Sequence, residues 1–167
     1  VGATNALRVL GAKTGIITLI IDIAKGFLAV HLSRFFLKDS TDLFLIAVGL
    51  AAILGHIFTV FLHFKGGKGV ATSAGVFLAL APAASGIAFA VFVMVVILSK
   101  YVSLGSLLAA ITLLIAELVI NINNSFQHLA VLILAFLICV FIFVRHRANI
   151  IRIMQGEENK ISFRRKS

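Results

Sequence analysis

The sequence has no tryptophan, one tyrosine (Tyr101), one proline (Pro82) and one cysteine (Cys139). A single cysteine closes no disulfide within the chain, and Cys139 lies in an apolar run. Without Trp and with one Tyr, the usual aromatic belt at the membrane interface is missing. The 15 Phe are then lipid-facing or packing residues. Acids are also scarce: 6 Asp+Glu stand against 15 Lys+Arg, for a net charge of +9. They are scattered, only Glu157 and Glu158 are adjacent, and no H-E-x-x-H or EF-hand pattern appears. No metal site and no cofactor are therefore expected. A Ser-His-Asp grouping is absent too, which argues against a covalent enzyme intermediate. Charged residues make up 13% of the chain, about half the share of a soluble domain.

What is abundant is apolar surface. Hydrophobic residues reach 61%, more than one soluble core of this size buries. The chain reads as an integral membrane protein. Its positive charge then points to positive-inside topology and to anionic headgroups as lipid partners. With no nucleic-acid motif, no nucleic-acid partner is expected.

Hydrophobic blocks cover about 14–37, 43–62, 70–98, 102–120 and 128–144. Pro82 divides the third, predicting a short helix near 70–81 and a second over 83–99. The shorter one is allowed to be re-entrant if protein surrounds it. The expected fold is an all-α polytopic transmembrane bundle of about six spans, a single integral membrane domain over 1–167, with a basic tail from about 145. Six crossings place Arg8, Lys13, Lys65, Lys68, Lys100, Arg145, Arg147, Arg152, Lys160, Arg164, Arg165 and Lys166 on one side. Arg34 and Lys38 fall on the other, and Lys25 lies inside a span. That asymmetry predicts a cytoplasmic tail.

Three polar stretches interrupt the apolar pattern. "HFKGGKGVATS" (63–73) holds Gly66, Gly67 and Gly69 around Lys68. Its glycines permit close backbone approach, successive N–H groups form an anion nest, and the helix that follows aims its N-terminus at the same point. Thr72 and Ser73 add hydroxyls. The target would be an anion, phosphate above all, and the alternative is a tight basic turn. "RHRANIIR" (145–152) places Arg145, Asn149 and Arg152 on one helical face with His146 at its edge. Arginine forks suit phosphate, and a stop-transfer basic cluster is the alternative. "VGATNALRVLG" (1–11) reads as a polar loop before a short helix carrying Arg8, or simply as a capped surface helix. Within the spans, Asp22 and Lys25 are spaced i,i+3 and can pair. His56 is placed to point toward the glycine stretch, Glu117 has no obvious local partner, and His31 and His128 read as interfacial or structural.

Taken together, "VGATN", "GHIFTVFLHFKGGKGVATS" and "RHRANIIRIMQGEE" resemble the bacterial acyl-phosphate:glycerol-3-phosphate acyltransferases of the PlsY type, in order and spacing along nearly the whole chain. The resemblance implies a seven-span enzyme of the bacterial plasma membrane, with its active site facing the cytoplasm. A first span and a Ser-Gly-Asn would precede Val1, and that serine would contribute to the substrate site. Thr59 stands where the family pattern has proline. The implied reaction moves a fatty acyl group from acyl phosphate to the sn-1 hydroxyl of glycerol 3-phosphate, giving lysophosphatidic acid and phosphate. Matched residue by residue, the substrate-binding set is Thr4, Asn5, Arg8, Gly66, Gly67, Lys68, Gly69, Arg145 and Arg152, and the catalytic set is Lys68, His146 and Asn149. A monomer is expected.

Two rival enzyme classes fail on their motifs. Five residues after each histidine stand Phe36, Phe61, Lys68, Ile133 and Ile151, so the His-x4-Asp acyltransferases are excluded. The Asp-rich metal motif of the CDP-alcohol phosphatidyltransferases is absent. A small transporter of phosphate or organic anions is the non-enzyme alternative. It would call for inverted repeats and a midplane site, whereas the basic residues here gather at one face.

Overall fold

The computed structural model describes residues 2–60 and 66–161. His63, Phe64 and Lys65 of the glycine-lysine stretch, and Arg164, Arg165 and Lys166 of the tail, lie outside the described residues. The described residues form eight helices: α1 (Ala3–Leu10), α2 (Ala12–Phe36), α3 (Asp42–Ile57), α4 (Val70–Leu80), α5 (Pro82–Ser99), α6 (Val102–Asn123), α7 (Leu129–Arg145) and α8 (Arg147–Met154).

Local chemistry sets several of these boundaries. Gly11, at φ 89°, turns the chain between α1 and α2. The Thr41 hydroxyl accepts from the Phe44 N–H at 3.3 Å and caps α3, with Asp42 favourably placed in the first turn. Pro82 opens α5 at a position where no N–H is needed. At His146 the chain bends by 58° between α7 and α8.

Helices α2, α5 and α6 are long and apolar enough to cross a membrane by length and composition alone. α7 passes that test only together with α8 as a bent pair, and α3 and α4 are shorter, at 16 and 11 residues. Six crossings therefore require shorter helices to count as spans. The short helix expected near 70–81 is present as α4, about 17 Å long at the α-helical rise of about 1.5 Å per residue. Protein covers one face of it, where Thr72, Ser73, Gly75, Val76 and Phe77 are all buried, while Ala74 and Leu78 are exposed.

Backbone approach explains how so short a helix is held. A Cβ on Gly26 would strike the Thr72 carbonyl oxygen, and one on Gly75 would strike that of Ile23. In lipid, where tails are as apolar as leucine, helices associate through this kind of close packing at small residues. Val30, Leu45, Ile53, Ile57, Val76 and Phe77 form the inner layer, continued by Leu107, Leu134, Ala135 and Ile138. Outward faces carry exposed Ile20, Phe89, Ile97, Ile115 and Phe136, as a lipid-facing bundle requires.

Some polar groups inside the bundle find partners, whereas the buried hydroxyls of Thr72 and Ser85 have none among the described residues. Lys25 Nζ donates to Asp22 Oδ1 at 2.5 Å, the expected pair. The sequence offered Glu117 no local partner. One turn on, the Asn121 side-chain amide donates to Glu117 Oε1 at 3.2 Å through i,i+4 spacing, while Asn121 Oδ1 is buried without a hydrogen-bond partner among the described residues.

Candidate active site

The three polar stretches, far apart in sequence, meet at one end of the bundle. The glycine turn lies directly on α3: the Gly66 N–H donates to the Ile57 carbonyl at 3.0 Å. A Cβ on Gly66 would strike the His56 carbonyl oxygen, and one on Gly67 would strike the His56 ring at Nε2. Only glycine permits this approach. Gly69, at φ 83°, then turns the chain into α4. The expected anion nest needs a correction here, because the Gly66 N–H is already taken by Ile57. The N–H groups of Gly67, Lys68 and Gly69 have no acceptor among the described residues.

Lys68 reaches across to α8, where its ammonium donates to Asn149 Oδ1 at 2.5 Å. Asn149 Nδ2 donates to Glu158 Oε1 at 2.8 Å. The same carboxylate accepts from Ser103 Oγ at 2.9 Å and from Arg152 Nε at 2.9 Å. Arg8 Nη2 stands 4.0 Å from Glu158 Oε1 and donates to the Asn159 carbonyl at 3.1 Å. Arg145 Nη2 lies 3.5 Å from the Gly67 carbonyl. Arg8, Arg145 and Arg152 thus lie near Lys68, with Glu158 as the carboxylate acting on it. Arg8 and Arg152 face that carboxylate directly, which leaves the cluster with an excess of positive charge.

The single helical face expected over 145–152 is not continuous. The bend at His146 puts Arg145 at the end of α7, beside Gly67, and Asn149 and Arg152 on α8, beside Glu158. Convergence comes from the bend and the returning tail rather than from one helical stripe. Thr4 and Asn5 sit on α1, half-buried and exposed respectively, with no side-chain hydrogen bond among the described residues. α1 meets the glycine turn through Gly2, next to Gly67. Thr72 and Ser73 are both buried at the start of α4, and the Thr72 hydroxyl has no hydrogen-bond partner among the described residues.

Electrostatics follow from this geometry. His146 is 3% exposed and its Nδ1 lies 2.8 Å from the Ile142 carbonyl. A carbonyl only accepts, so Nδ1 carries the proton and Nε2 keeps a lone pair. Burial first, then the charges of Lys68 and Arg145, lower the imidazole to about 4, against smaller opposing effects of the Ile142 bond and Glu158. Burial also lowers Lys68, joined by Arg152, Arg8 and Arg145, while Glu158 opposes. Burial alone would raise Glu158. The hydrogen bonds from Asn149, Arg152 and Ser103 and the Arg152 charge outweigh it and hold the carboxyl below its usual range.

Glu158 and Ser103 were not foreseen as site residues. Their signal was faint: Glu158 is one of six acids and lies six residues after Arg152, the end of the basic run. Beside the glycine turn, a cavity of about 320 Å³ is lined by Asp22, Lys25, Gly55, His56, Thr59, Gly66 and Gly67 among others.

The family model described as "Glycerol-3-phosphate acyltransferase" matches residues 1–156. The chain belongs to the glycerol-3-phosphate acyltransferase family. It is 50% identical over 160 residues to glycerol-3-phosphate acyltransferase 2 of Bacillus anthracis, covering 96% of this chain and 80% of that protein. Among solved structures it is similar to PlsY (YgiH), an integral membrane glycerol 3-phosphate acyltransferase, in its lysophosphatidic acid form. That likeness has TM-score 0.83 and 38% identity, over 97% of this chain and 80% of that one. The glycerol 3-phosphate form of the same enzyme gives TM-score 0.82 and 38% identity, over 96% and 78%. Family membership and the integral membrane fold agree with the resemblance read from the sequence.

Proposed function

We propose that this protein transfers a fatty acyl group from acyl phosphate to the sn-1 hydroxyl of glycerol 3-phosphate, releasing phosphate and leaving lysophosphatidic acid. The observation that carries the reading is the gathering of Arg8, Arg145 and Arg152 near Lys68, at the glycine turn of a chain whose relatives are named glycerol-3-phosphate acyltransferases. Arg8 and Lys68 hold the glycerol phosphate. His146 and Asn149 position its hydroxyls, His146 through the Nε2 lone pair. The N–H groups of Gly67 and Gly69, with Arg145, hold the acyl phosphate, and Arg152 fixes Glu158. Thr4 and Asn5 help seat α1 over the substrates.

Acyl phosphate is a mixed anhydride and already activated, so orientation and charge stabilisation supply much of the rate. A ring lowered to about 4 is a weak base at neutral pH. The hydroxyl proton then passes to a phosphate oxygen, and the departing phosphate carries it away. The acyl chain lies among the apolar spans. Every side chain assigned comes from one chain, so a monomer suffices. The excess of Lys and Arg at the site end supports a bacterial plasma-membrane enzyme with a cytoplasmic active site and six crossings in one membrane domain.

The test is the purified protein in lipid vesicles, given a long-chain acyl phosphate and glycerol 3-phosphate. Phosphate release should require both compounds, and lysophosphatidic acid should appear by mass spectrometry. Uptake of labelled glycerol 3-phosphate without a donor, with no phosphate released, would instead make the protein a transporter.

A further inference from the structure

The cavity beside the cluster contains ionisable groups that the proposed mechanism leaves unused. Lys25 Nζ donates to Asp22 Oδ1 and also lies 2.6 Å from His56 Nδ1. An ammonium has three donors and no acceptor, so His56 Nδ1 must present its lone pair to Lys25. Asp22 Oδ1, at 3.5 Å from Nδ1, is beyond good hydrogen-bond distance, and the ammonium stands in its place. A neutral ring accepting at Nδ1 carries its proton on Nε2. That edge abuts Gly67, and a Cβ there would land on it. The His56 Nε2–H thus reaches the wall that the cavity shares with the glycine turn.

The charge balance of the two compartments differs. The Arg8–Lys68–Arg145–Arg152 side is strongly cationic and suits phosphate. On the His56 side, Lys25 is offset by Asp22, and the neutral imidazole lines the cavity with its Nε2 edge beside Gly67. That combination suits a carbonyl oxygen, uncharged at first and negative only as the reaction proceeds.

We propose that His56 is a further catalytic residue. Its Nε2–H donates to the acyl carbonyl oxygen of the donor and stabilises the oxyanion that forms there. Lys25 and Asp22 are positioning residues that fix the tautomer. This rests on the acyltransferase reading above. In the step concerned, the sn-1 oxygen forms a bond to the acyl carbon while the carbonyl electron pair moves onto oxygen beside His56. Collapse re-forms the carbonyl and breaks the bond to phosphate, which leaves with the hydroxyl proton. No electrons are exchanged with another reactant.

The test uses steady-state phosphate release with wild type, His56→Ala, His56→Asn and His56→Gln. A glutamine amide reaches the Nε2 position, whereas asparagine reaches only the Nδ1 position. His56→Ala and His56→Asn should lower kcat by roughly 10²–10³-fold, the size seen when one oxyanion donor is lost. KM for both substrates should move little, and His56→Gln should recover most of the loss. A kcat for His56→Ala close to wild type would overturn the proposal, as would an equal loss in all three variants or an effect confined to KM for glycerol 3-phosphate. Should the variants fail to fold, the wild-type protein with ¹⁵N-histidine serves. The His56 proton should be on Nε2, and its resonance should shift on adding a long-chain 2-oxoalkylphosphonate, a donor analogue that cannot transfer. A proton on Nδ1, or no shift, would overturn the assignment. Absence of wild-type turnover would sink the acyltransferase reading itself, whereas the failures above leave that reading standing.

Discussion

Asn149 turns its carbonyl oxygen to the Lys68 ammonium, at 2.5 Å, because its amide nitrogen is committed to Glu158 at 2.8 Å. The carboxylate thereby orients the asparagine, and the asparagine orients the lysine. Asn149→Leu keeps the volume and removes both bonds. Leaving Glu158 and Lys68 each short of a partner should cost about 2–3 kcal/mol of stability and lower turnover by about 10²-fold, since about 1.4 kcal/mol corresponds to tenfold in rate. Thermal unfolding in detergent and phosphate-release kinetics measure the two effects separately.

Glu158 is 5% exposed and ties α6, α8 and the tail together. Glu158→Gln keeps an acceptor for Asn149 and Ser103 but removes the charge facing Arg152 and Arg8. Glu158→Ala removes both. Breaking a buried ion pair by deleting one partner typically costs about 3–5 kcal/mol, so the alanine variant should unfold at a markedly lower temperature, with glutamine between it and wild type. Equal melting of all three would remove Glu158 from its central place.

The glycine turn is constrained by contact. Gly67→Ala drives a methyl group into the His56 ring, whereas a Cβ on Gly86 meets nothing within 4 Å. Gly67→Ala should lower turnover by about 10²-fold, the scale expected when reacting groups are displaced by roughly 1 Å. Gly86→Ala should leave turnover unchanged. Kinetics on the pair distinguish a steric requirement from general intolerance of alanine in this membrane bundle.

Buried neutral, His146 makes stability depend on pH. Its ring is lowered to about 4 in the folded protein from about 6.5 when exposed. The unfolded chain therefore binds a proton that the folded one refuses. The stabilisation is fully present above about pH 6.5 and is lost as pH falls toward 4, by on the order of 3 kcal/mol in all. Thermal midpoints should drop across that window, and His146→Gln should flatten the drop. By the same reasoning, the pH–rate profile should show no inflection near 6.5 from this residue.

The sequence revealed the apolar helices because lipid demands long apolar runs, though only α2, α5 and α6, and α7 joined to α8, are long enough to count as spans by length and composition. The interruptions at 63–73 and 145–152 stood out against the apolar runs. The Asp22–Lys25 pair was readable from i,i+3 spacing. Glu158 was harder to find, because its role comes from a tail that folds back past α8 to Ser103, which no local period encodes. The bend at His146 was likewise hidden within a run that reads as one helix. The Lys25–His56 contact joins α2 to α3, and only tertiary packing sets it.

The central claim is that one cationic pocket, assembled from α1, the glycine turn and α8, binds glycerol 3-phosphate. Its most direct test is equilibrium binding of glycerol 3-phosphate to the purified protein, comparing wild type with Arg8→Ala and Lys68→Ala. Each variant should raise Kd about tenfold or more, in keeping with a lost charge-assisted hydrogen bond of about 1.5–3 kcal/mol, while the folded fraction stays that of wild type. Wild-type Kd in both variants would contradict the account.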